Sequence, residues 1–120
     1  MQPQSEDTEV RLLAADYRGA SITTTTLDAA FSLLADAPRR AVIKHVHESP
    51  TTTVSALATA LATRLGGSHD RWSLSLRHAS LPKLASHRAV EYDAESGTVR
   101  RGPMFETYVR ILDETGRGER

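Results

Sequence analysis

Cysteine is absent from the 120 residues, which removes disulfides, thiolate metal centres and cysteine nucleophiles from consideration. Aromatic residues make up only 5%, so a core has to be assembled mainly from Leu, Val, Ile and Ala. No apolar run approaches the roughly 20 residues that a membrane-crossing helix needs. The opening stretch, Met1 to Glu9, is polar and acidic, unlike the basic-then-apolar layout of a secretory leader. With the lack of cysteine, this fits a cytoplasmic protein. Also missing are a phosphate-binding glycine loop, a His-Glu-x-x-His pair and a nucleophile elbow. The motifs therefore give no support to an enzyme, and no cofactor is implied.

What the chain does have is a segregated charge. The total is zero, from 15 bases and 15 acids. Residues 1–36 carry six acids and two bases, residues 37–88 eight bases and two acids, and residues 89–120 five bases and seven acids. The middle stretch is thus +6 and holds all five histidines. A phosphate backbone would feel that local field rather than the total.

Apolar residues are 39% of the chain, enough for one core. The pattern predicts a tail with a short helix over 1–26, a folded unit over 27–102 and a C-terminal helix over 103–120. In the tail, Val10, Leu13 and Tyr17 are helically spaced. A first core helix is expected after the threonine run, with Leu27, Ala30, Phe31 and Leu34 on one face, and a Thr25/Asp28 capping pair. Asp36 is expected to cap a second helix with Pro38 in its first turn and Val42, Ile43 and Val46 buried. Thr51–Val54 reads as a short strand. A third helix, capped by Thr53 or Ser55, places Leu57, Ala58, Leu61, Ala62 and Leu65 inward. A fourth is expected from Arg71 to His87, capped by Asp70, with Leu74, Leu81, Leu84 and Ala85 inward and a bend at Pro82. Val90–Asp93 and Thr98–Arg101, around a turn ending in Gly97, read as a β-hairpin. This order of elements, mainly α with a small hairpin, predicts an α+β winged helix-turn-helix with additional terminal helices.

Leu76-Arg77-His78-Ala79-Ser80-Leu81-Pro82-Lys83-Leu84 followed by Val90-Glu91-Tyr92-Asp93 resembles the recognition helix and wing of a winged-helix domain family common in halophilic archaea. It is more distantly similar to ArsR- and MarR-type regulators. Leu33-Leu34-Ala35-Asp36-Ala37-Pro38-Arg39-Arg40 matches the same family's first two helices, so the likeness spans about residues 27–101. Ser80 stands where that family often has a second histidine. The resemblance implies a cytoplasmic, DNA-binding transcriptional regulator.

On the fourth helix, Arg71, Ser75, His78, Pro82 and Ser86 form a stripe free of large apolar side chains, which is what a groove-facing helix requires. Arg77 and Lys83 flank it and have the length to reach phosphates. Arg100 and Arg101 end the returning strand of the wing, where phosphate contacts are common. Glu91, Asp93 and Glu95 oppose that assignment and fit a second possibility, a winged helix that docks a protein instead of DNA. Arg39 and Arg40 begin a helix, the unfavourable end for positive charge, and call for an acid or phosphate partner. The outer helices, through Val10, Leu13 and Tyr17 and through Phe105, Tyr108, Val109 and Leu112, are the expected homodimer surface. Two-fold symmetry would then set two recognition helices roughly 34 Å apart. The alternative is that they pack on their own core. Trp72 is expected to anchor the fourth helix to the core. The histidines are too dispersed for a metal site.

Overall fold

The computed structural model describes residues 24–115. Residues 1–23, with the short helix expected through Val10, Leu13 and Tyr17, and residues 116–120 of the expected C-terminal helix lie outside them. The described chain is mainly helical with one three-stranded antiparallel sheet, an α+β arrangement. Its elements are α1 (Thr24–Leu34), α2 (Ala37–Glu48), β1 (Thr51–Thr53), α3 (Val54–Leu65), α4 (His69–Ser75), a π-helical turn (Leu76–Ser80), α5 (Leu81–Ser86), β2 (Val90–Asp93), β3 (Thr98–Arg101) and α6 (Phe105–Thr115). No helix among the described residues is long and apolar enough to cross a membrane.

Local chemistry sets several of these boundaries. Asp36 is extended and its carboxylate accepts from the Arg39 amide (3.1 Å), with Pro38 in the first turn of α2. Thr53 caps α3 through the Ala56 amide (3.1 Å). Asp70 does not cap the fourth helix. Ser68 does, accepting from the Arg71 amide (3.2 Å), and Asp70 sits in the first turn, where its charge suits the helix dipole. α1 begins at Thr24, so the threonine run extends into the helix rather than preceding it.

In the sheet, β1 pairs with β3 and β3 with β2, both antiparallel, in the order β1-β3-β2. Asp93 shapes the hairpin turn by accepting from the Glu95 (3.0 Å) and Ser96 (3.4 Å) amides. Gly97 closes it at φ +76, a conformation that L side chains rarely adopt. The Gly97 carbonyl then takes the first amide of α3, Val54 (2.9 Å), joining hairpin to helix.

The core is a single cluster in which Leu27, Val42, Leu57, Leu76, Leu81, Leu84 and Val99 are fully enclosed. Phe105, Tyr108, Val109 and Leu112 belong to the same cluster. The apolar face of α6, expected as half of a dimer surface, is spent on the chain's own core. The Tyr108 hydroxyl donates to the His87 carbonyl (3.0 Å), and burial raises its pKa above the usual tyrosine range.

Two leucines expected inside are outside. Leu65, in the last turn of α3, is 44% exposed, and Leu74 is 61% exposed. Leu74 has a clear physical cause. The fourth helix is not a continuous α-helix but α4, a π turn and α5, with the Leu81 amide bonded to the Leu76 carbonyl five residues back. Pro82 lacks an amide, and its ring would press on the carbonyl four residues earlier, that of His78. Widening the turn by one residue relieves that pressure. The extra residue sets back every later side chain by about 100°. Leu81 and Leu84 thereby align with Leu76 and Trp72 toward the core, and Leu74 is left on the opposite side.

Candidate nucleic-acid interface

The α4–π–α5 helix presents a long exposed face. Arg71, Leu74, Arg77, His78, Ala79, Pro82, Lys83 and Ser86 are exposed, and Ser75 is half-buried. Over residues 64–88 the chain carries five bases, Arg64, Arg71, Arg77, Lys83 and Arg88, against one acid, Asp70. All five bases are exposed. The ion pairs Asp36–Arg39, His69–Asp70 and Arg101–Glu106 involve none of the five, and none of the five is paired with a carboxylate.

Trp72 holds the start of this helix. Its indole N–H donates to the Gly66 carbonyl (2.7 Å), and its ring packs on the core, the anchoring role expected of it. Gly66, Gly67, Arg71, Trp72 and Ser75 line a small hollow at this end. His69 ties α4 to α3, with Nε2 3.1 Å from the Ser55 carbonyl. Further along, the Arg77 guanidinium lies 3.7 Å from where a Cβ on Gly97 would sit. Arg77 therefore marks the junction of helix and hairpin turn.

The two arginines of β3 part company. Arg100 is exposed, opposite Glu91 across the strand pair, so its positive charge is offset. Arg101 is turned inward. Its Nη2 donates to the His47 carbonyl (2.7 Å), its Nη1 meets Glu106 (3.4 Å) and its guanidinium lies 5.1 Å from the Phe105 ring centre. Expected at a phosphate, Arg101 instead ties β3 to the end of α2. Arg39 and Arg40 behave alike. Arg39 Nε donates to the Leu33 carbonyl (2.6 Å) and Arg40 Nη1 to the Leu34 carbonyl (3.0 Å). Their charge sits at the C-terminal end of α1, which it favours.

Arg88 was not singled out by the sequence pattern. It follows α5 in the left-handed region, at φ +62, with its amide bonded to Ala85 and the next amide, of Ala89, to Leu84. These two bonds make a Schellman cap, whose left-handed position is usually glycine. A Leu-Pro-Lys-Leu-Ala-Ser helix end with no glycine after it is the signal that could have flagged this position. Asp93 is held below its ordinary value of 3.8, first by the Glu95 amide and then by Ser96. Its charge is thus engaged with its own turn. Among the described residues, no three His, Asp or Glu side chains gather into a metal site. Ser80, at the place of the second histidine in the resemblance, is buried.

Fold and site together define a small α+β domain with a long exposed helix, around which residues 64–88 carry five exposed bases against one acid. Residues 31–100 match the profile of a domain of unknown function, DUF7344. That is more than half of the chain, and the chain belongs to this family. No curated protein matches it, and no solved structure does.

Proposed function

We propose that this chain is a cytoplasmic, non-enzymatic transcriptional regulator that binds double-stranded DNA through a winged helix-turn-helix. The observation that carries the reading is the run of five exposed cations over residues 64–88, none paired with a carboxylate, against one acid. The order α2-β1-α3-α4/α5-β2-β3, with β1 paired to the second hairpin strand, supports it. The α4–π–α5 helix would enter the major groove. Arg71 is suited to a guanine edge, and Ser75 and His78 to neighbouring bases. Arg77 and Lys83 would contact phosphates, and Arg100 would do so from the wing. Arg101 is left out because its guanidinium is already bound within the chain. A homodimer would need a surface other than Phe105, Tyr108, Val109 and Leu112, which the core encloses.

Fluorescence anisotropy on genomic duplexes at several salt concentrations tests the reading. Arg71→Ala should weaken binding by about tenfold or more. Each phosphate-contacting cation removed should flatten the log–log salt slope by about 0.9. The exposed acids Glu91 and Glu95 on the hairpin favour a second reading, a module that docks a protein. Unchanged anisotropy for Arg71→Ala and His78→Ala together, with a protein partner still recovered, would select it.

A further inference from the structure

Leu74 occupies an unusual place. It is 61% exposed, and it lies on the same outward face as Arg71 and His78, three residues after one and four before the other, the spacing that stacks side chains along a helix. The π turn puts it there, since the Leu76, Leu81 and Leu84 row that fills the core no longer includes it. An isolated exposed leucine needs no explanation on an ordinary surface. This one is central to a face whose other large side chains are cationic or polar. The surrounding charge fits a polyanion, and the one apolar group on a DNA major-groove edge is the thymine C5-methyl.

Resting on the DNA-binding reading above, we propose that Leu74 is a specificity-determining residue that packs on thymine methyl groups. The preferred duplex would then carry A·T pairs with thymine facing the C-terminal end of α4 at Leu74, next to the base edge taken by Arg71. Leu74 supplies shape and apolar contact, and Arg71 supplies the charge that draws the duplex in.

The test uses the full chain and a duplex selected from a random pool. Each thymine of the selected site is replaced in turn by deoxyuridine, which removes only the methyl group. At one or two positions the wild-type protein should lose affinity about fourfold per methyl, the weight of one buried carbon. Leu74→Ala should weaken binding to the thymine duplex by a similar factor and be indifferent to deoxyuridine at those positions, with an unchanged thermal midpoint. Leu74→Gln should behave in the same way. Tight, salt-sensitive binding that ignores every thymine methyl would overturn this proposal and leave the DNA-binding reading standing. Equal methyl dependence in wild type and Leu74→Ala would also overturn it. Absence of binding by the wild type at low salt would overturn both.

Discussion

Arg39, Arg40 and Arg101 donate to backbone carbonyls at helix C-termini, at Leu33, Leu34 and His47. Each satisfies an acceptor that its helix leaves open. Arg101→Ala should therefore cost stability, about 1–3 kcal/mol from charge-assisted hydrogen bonds and the contact with the Phe105 ring. Arg100→Ala, on the exposed side of the same strand, should leave the denaturation midpoint where it was. Arg88 shows the opposite balance. Giving up the left-handed backbone of an L-residue relieves about 1–2 kcal/mol, against about 0.5–1 kcal/mol of added chain entropy. Arg88→Gly should raise stability by about 0.5–1 kcal/mol in a thermal or urea melt. Asp93 makes a pH-dependent contribution. Its folded pKa lies below the ordinary 3.8, so its contribution is fully present above that value and is lost as pH falls through the lowered one. The Glu95 and Ser96 amide shifts should titrate with a midpoint below 3.8, and Asp93→Asn should abolish that titration.

The helix that carries the candidate site depends on two devices, a π turn before Pro82 and a clamp at its end. The π-turn register makes a direct comparison possible. Leu84→Ala should cost about 2–5 kcal/mol as a core truncation, whereas Leu74→Ala should stay within about 0.5 kcal/mol. A straight helix would make both costly. At the clamp, a Cβ on Gly102 would collide with the Arg88 carbonyl oxygen, where the Gly102 amide donates to the Ala89 carbonyl and the Met104 amide to the Arg88 carbonyl. Gly102→Ala has no flexible side chain to push aside and should destabilise by about 1–3 kcal/mol. Sequence made the local parts of this architecture legible. Asp36, Thr53 and the Gly97 turn announce their elements within four residues, and the hairpin and its third strand follow from them. The register beyond the π turn was not legible, because a straight 3.6-residue period puts Leu74 with Leu81. Nor was the role of Arg101, which depends on β3 ending beside a carbonyl 54 residues away. Periodicity also cannot say whether an apolar helix face meets its own core or a second chain, and for α6 the core takes it.

At the scale of the molecule, the neutral total charge conceals an uneven surface. Of the eight basic residues in the middle segment, Arg39 and Arg40 hold helix-end carbonyls, Lys44 is half-buried on α2, and Arg64, Arg71, Arg77, Lys83 and Arg88 are exposed. The candidate site is therefore narrower than the +6 segment from which it was inferred. The central claim is that this face binds duplex DNA, and an amide-resolved NMR titration with a short mixed-sequence duplex at low salt tests it most directly. The account predicts shift changes concentrated on His69–Ser86 and on the hairpin around Gly97 and Arg100, fading as salt is raised. No shift at low salt, or shifts confined to α2 and α6, would contradict it.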